Sequence, residues 1–131
     1  MSKSLNGYPD YDPWVVTNIP MFKKLTEIEE PNTDKCMVFI DEHEYSLTDS
    51  IFGMPTRYSE SQQGNPTPMW WDMPANRHSQ GANLSFADSH VEHWKWAVPK
   101  IHVGPIGQPQ AVPSAEMPDW LRLRACIKQR P

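Results

Sequence analysis

Positive charge is scarce and scattered in this 131-residue chain. Lys and Arg number 12 against 16 Asp and Glu, the formal net charge is −4, and no basic run is longer than Lys23-Lys24. A nucleic-acid footprint needs clustered cations to displace counterions, so the balance argues against that partner. No apolar run approaches the roughly 20 residues of a membrane span, and the N-terminus shows no signal peptide. No membrane contact is therefore expected of the chain as written. Cys36 and Cys126 are the only cysteines, and neither has a histidine or nucleophile motif beside it, which argues against cysteine catalysis. They are expected as two free thiols, the alternative being a bond that closes a long loop in an oxidising compartment. HExxH, CxxC, a serine elbow, a P-loop and a dinucleotide fingerprint are all absent, and Gly104-Pro105-Ile106-Gly107 reads as a proline turn.

What is abundant is proline and aromatic side chains. Hydrophobic residues make up only 38%, but the chain holds 14 prolines, six tryptophans, four tyrosines and four phenylalanines. Each aromatic can bury on the order of 150–250 Å², so a small aromatic core wrapped in loops is feasible. The length suits one domain, 1–131. The proline-broken start predicts an extended arm packed by Tyr8, Tyr11 and Trp14, and the segments 54–74 and 99–113 predict long proline-rich loops. One or two helical turns are expected within 21–30, with Phe22, Leu25 and Ile28 spaced three apart, the alternative being an extended edge segment, and a short turn-helix within 46–53, capped by Ser46. A third is expected within 114–128, capped by Ser114, with Trp120, Leu121, Leu123 and Ile127 on one face.

The densest signal is a β-hairpin. Runs 83–87 and 91–96 suit strands, and Asp88-Ser89 between them can cap a tight turn. A two-residue tip sets Phe86 opposite Val91, Leu84 opposite His93, Ser85 opposite Glu92 and Asn83 opposite Trp94. Serine is a poorer fit than glycine where φ is positive, so a wider turn is the alternative. The apolar run 36–41 predicts a strand buried on both faces at the centre of the sheet. Trp70-Trp71 begin a strand or pin the preceding loop. Trp94 and Trp96 share one face, either as core or as an exposed aromatic shelf. The fold class is α+β: an antiparallel sheet of three to five strands with short helices and long proline-rich loops.

The words "RHSQGANLSFADSHVEHWKW" place nine residues between His78 and Asp88, and "FIDEHEYSLTDSIFG" stands upstream of them. Both resemble the head domains of bacterial pilin-like proteins with an H-X9-DG signature, relatives of the type II secretion pseudopilins. "SLNGY" and "PDWLRLRA" are weaker echoes of segments that open and close the same domain. Where the family has Asp-Gly, this chain has Asp88-Ser89. The resemblance implies a structural assembly subunit rather than an enzyme, with Arg77, His78 and Asp88 as signature residues. It also implies partners among pilin-like subunits or secretion-system components, and an extracytoplasmic place in the cell envelope. The long apolar helix that precedes such heads is not in this sequence, which reads as a head alone.

Two rival functions are weighed beside this one. A small binding module would use Trp70, Trp71, Trp94 and Trp96 to hold a carbohydrate, a peptide or a cationic small molecule. A metal-dependent hydrolase would need at least three of Asp41, His43, His78, Asp88 and His90 around one ion with an open position, either Zn²⁺ or, through oxygens, Ca²⁺. Calcium is held by several pseudopilin heads, although their calcium loop is not recognisable here, and no resident cofactor is expected.

Overall fold

The computed structural model describes residues 21–49, 51–56 and 68–129. The arm of Tyr8, Tyr11 and Trp14 and most of the 54–74 loop lie outside the described residues. Within them the chain forms two small antiparallel sheets and one short helix. Strands β1 (Met37–Ile40), β3 (Gly81–Phe86) and β4 (Val91–Lys95) form one sheet in the order β1-β3-β4, and β2 (Met69–Trp70) pairs with β5 (Gln110–Ala111) in the other. A single 3-10 turn, Ser114–Glu116, leads into helix α1, Met117–Arg124. Pro118 sits in the first turn of α1, where its missing N–H costs nothing.

The hairpin forms where the sequence places it, but one register step away. Asn83 pairs with His93, Leu84 with Glu92 and Ser85 with Val91. The turn is the wider one: Ser89 N–H donates to Phe86 O (3.0 Å), Phe86 N–H donates to His90 O (3.0 Å), and Ser89 carries φ of 80°. Three residues at the tip instead of two shift every pair, and a three-residue loop demands one left-handed position. Asp88 Oδ1 accepts the His90 N–H at 3.1 Å, the local turn that its short side chain promises.

Alternation then sends Ala82, Leu84, Phe86, Trp94 and Trp96 to one side, where they meet Met37, Phe52, Met54, Trp70, Trp120 and Leu123 in the main core. A satellite cluster of Phe22, Ile28 and Cys36 packs with Ala87 at the hairpin tip.

Four expectations are corrected. The strand at 36–41 lies at an edge of its sheet, not at the centre; Phe39 is 52% exposed, and the register slips between Met37 and Phe39. Segment 46–53 is not a helix among its described residues: Ser46 is buried and fastens loops, while Ile51 and Phe52 run consecutively into the core, a burial pattern without helical period. Segment 21–30 has the turn expected of it, a 3-10 turn at Leu25–Glu27, but not the shared face: Leu25 stands in solvent while Phe22 and Ile28 are buried. At the C-terminal helix Ser114 makes no side-chain cap, and Leu121 is exposed while Trp120, Leu123 and Ile127 are buried.

Left-handed backbone costs a side-chain-bearing residue about 1–2 kcal/mol, so Ser89→Gly should stabilise the fold by about 1 kcal/mol, seen as a melting temperature several degrees higher. Gly81 is the opposite case. A Cβ there would lie 2.3 Å from Trp94 O and 2.6 Å from His93 Cε1. Gly81→Ala should therefore lower the melting temperature under the same conditions.

Candidate functional site

The chemistry-bearing residues gather at two opposite ends of the three-stranded sheet. β1 and β3 are antiparallel, so the residues after β1 arrive where β3 begins, and the hairpin tip lies near where β1 begins. His78 precedes β3 and Asp88 follows it, so the six residues of β3, roughly 20 Å of strand, separate the two. They are not an acid–base pair.

At the base, Arg77 and Gly81 exchange backbone hydrogen bonds (2.9 and 2.7 Å) around His78, Ser79 and Gln80, all left-handed with φ of 52°, 64° and 64°. Strain of this kind persists only where the surroundings hold it. Gln80 supplies one hold: its Nε2 donates to Trp96 O at 3.0 Å while its carbonyl accepts the Trp96 N–H at 2.9 Å. Asp41 supplies another: its Oδ2 accepts both the Asn83 N–H and Nδ2 at 3.1 Å, and lies 3.6 Å from His78 Nε2. Arg77 Nη2 reaches Glu42 O and Glu44 Oε2, each at 3.3 Å.

At the tip, His90 stands between two carboxylates, with Nδ1 2.5 Å from Asp88 Oδ1 and Nε2 3.0 Å from Glu92 Oε1. Its ring stacks on Phe86 at 4.4 Å. The imidazolium donates hydrogen bonds to Asp88 and Glu92, which raise its pKa in that order, and His90 in turn lowers that of Asp88. The Glu92 carboxyl is lowered first by the Trp94 indole, which donates to its Oε2 at 2.5 Å.

The five candidate metal ligands are thus not brought together. Asp41 and His78 lie at the base, Asp88 and His90 at the tip, and His43 stacks on His102 at 6.1 Å with its Nδ1 accepting the Tyr45 N–H at 3.1 Å. Among the described residues no group of three or more His, Cys, Asp or Glu side chains can hold a metal ion. The donor set offered for Zn²⁺ or Ca²⁺ does not fit one ion, because antiparallel pairing parts the residues that a parallel neighbour would have joined.

Of the two readings of Trp94 and Trp96, the structure takes the core and not the shelf. Trp94 and Trp96 are 6% and 2% exposed and Trp70 is 1% exposed, all three in the main core; only Trp71 is partly open. Cys36 and Cys126 are free and buried, as expected, and burial pushes their thiols up to about 11 and about 12.

Two groupings escape a sequence reading. Glu42 carries a carboxyl pushed up to about 7, first by burial and then by the field of Asp72, although the Ser46 hydroxyl donates to its Oε1 at 3.0 Å. Lys100 and Asp119 form a buried pair at 2.7 Å, with the Glu116 carboxyl in the preceding turn of the same helix face. Nothing local marks either, since a lone Glu or Lys in a loop ordinarily faces water.

Fold and site together define a small α+β domain with its ionisable groups used as fasteners. No family model, no curated protein and no solved structure matches the chain.

These shifts set the pH response. A carboxyl raised in the folded state stabilises while protonated and loses that contribution as pH climbs from about 4.5 to about 7. His90, raised above its ordinary value, stabilises below about 6.5 and loses that contribution as pH passes its folded value. Both act in one direction, and His43, lowered first by burial, opposes them in the same range; with two groups against one the melting temperature should fall between about pH 5 and pH 8. Glu42→Gln should raise stability at the alkaline end by on the order of 1 kcal/mol and flatten the lower half of the slope. An unchanged slope would reject this account of Glu42.

Proposed function

We propose that this chain is the globular head of a structural subunit of a pseudopilin-like assembly, working in the cell envelope beside other pilin-like subunits or secretion-system components. The observation that supports it best is the use made of the signature. Arg77 and His78 clamp one end of β3 to the residues after β1, and Asp88 turns the chain at the other end. All three residues hold shape, as a head that must present fixed surfaces to its neighbours requires.

Exposed apolar side chains lie apart from these fasteners. Phe39 and Val91 flank Ser85 in one cross-strand row on the outer face of the sheet. Ile101, Val103 and Ile106 project from the loop that follows β4, near Tyr45, whose carbonyl accepts the Gly107 N–H at 2.8 Å. Apolar surface left in water is what subunit contacts use. No helix among the described residues is long and apolar enough to cross a membrane.

The test joins the chain to an upstream apolar helix in a bacterium with a working secretion pseudopilus. Incorporation into membrane-attached filaments, followed by sedimentation and cross-linking, is expected. A Val103→Asp, Ile106→Asp chain should keep its melting temperature, since exposed substitutions shift stability by only about 0.5 kcal/mol, yet lose incorporation several-fold. A folded fusion that never enters a filament would reject the reading.

A further inference from the structure

The buried Lys100–Asp119 pair has the layout of a bond-forming site. The Lys100 side chain is 0% exposed, its Nζ lies 2.7 Å from Asp119 Oδ2, and the Trp96 ring sits 5.3 Å below it. A nitrogen that meets a carboxylate oxygen at that distance and at the usual angle of about 120° lies about 3.5 Å from the carboxyl carbon, the outer edge of a near-attack arrangement. Both ends are held. Lys100 Nζ also donates to Val98 O at 2.9 Å, and the Ala97 N–H donates to Asp119 Oδ1 and Oδ2 at 3.2 and 2.9 Å. Glu116 is buried three residues before Asp119, so the two carboxyls share a helix face, and it feels the charge of Lys100. Burial raises the Glu116 pKa, and its Oε2 accepts the Trp70 indole N–H at 2.7 Å.

We propose that Lys100 and Asp119 condense into an intramolecular amide, with Glu116 relaying the proton. The Lys100 ammonium first passes a proton to Asp119 Oδ2 along their contact. The neutral amine then attacks Asp119 Cγ, and the Ala97 N–H steadies the charge that develops on Oδ1. Glu116 accepts a proton from the nitrogen and returns one to Oδ2, the Cγ–Oδ2 bond breaks, and one water leaves. Ammonium and carboxylate become amide and water, with no oxidant or cofactor. The product inherits its partners: the amide N–H keeps Val98 O, and the amide oxygen keeps the Ala97 N–H. It joins the loop after β4 covalently to α1.

Intact-mass spectrometry of the full, folded chain tests this. The expected mass is lower than the sequence mass by one water, with a branched proteolytic peptide joining Lys100 to Asp119. Lys100→Arg should carry its full sequence mass. Asp119→Asn should still close, now losing ammonia, which an ion pair would not do. Glu116→Gln should leave most of the chain open. A cooperatively melting wild-type chain that stays at full sequence mass after prolonged incubation overturns the proposal, whether or not the variants fold.

Discussion

The contact between Lys100 and Asp119 is the constraint on which the packing of this domain depends. Until a bond joins them, two opposite charges removed from water carry several kcal/mol of desolvation each, and are tolerated only when geometry and extra hydrogen bonds are good. Here the pair is 2.7 Å apart, with Val98 O, the Ala97 N–H and the Trp96 ring completing its surroundings. It pins the chain leaving β4 against the first turn of α1. That placement lets Trp120 and Leu123 close the core over Trp70 and Trp96. Loss of one partner from such a pair leaves the other charge buried, a penalty of about 3–5 kcal/mol, while a whole domain is stable by about 5–15 kcal/mol.

A core poor in aliphatics follows the same logic. Tryptophan brings area, but its indole N–H must find an acceptor when buried. Trp70 donates to Glu116 Oε2 at 2.7 Å, Trp96 to Ala75 O at 2.8 Å and Trp120 to Met69 O at 2.9 Å. Trp94 uses Glu92 and takes the Arg122 guanidinium on its face at 3.5 Å. These directional bonds fix how β2, the hairpin and α1 meet. Proline-rich connections can then remain irregular, because the tryptophans and the buried ion pair supply the specificity that longer strands would otherwise give.

Local signals in the sequence were legible, and long-range ones were not. The hairpin is visible because β-branched and aromatic residues flank an Asp-Ser pair, and the C-terminal helix because Trp120, Leu123 and Ile127 recur at helical spacing. The register was missed by one residue because nothing local decides between a two-residue and a three-residue tip except the φ that Ser89 accepts, and that φ is 80°. The edge position of β1 was hidden for a different reason. An apolar run reads as doubly buried, yet Phe39 turns outward while its N–H is held by Ser85 Oγ at 3.2 Å. Ser46 looked like a helix cap because a short hydroxyl side chain serves equally well to bond a distant strand end. It accepts the Met73 N–H at 3.1 Å and donates to Glu42. The proposed ligand cluster failed on topology alone: each residue is present, and antiparallel pairing divides them.

The spacing of the signature can be argued from the strand it brackets. Between His78 and Asp88 run two more left-handed residues, the six of β3, and Ala87 at the entrance to the turn. Nine intervening residues are therefore the span needed to leave one turn, cross the central strand and enter the next. Shortening the interval by one would reverse which side of the sheet Leu84 and Phe86 face, since strand side chains alternate with a period of two. A fixed spacing of this kind measures a strand and carries no demand that its two end residues meet. Ser89 occupies the left-handed position of that turn under strain, a place that glycine would take at less cost. The cost stays local, and the Asp88 turn and the bond from the Phe86 N–H to the His90 carbonyl help to offset it.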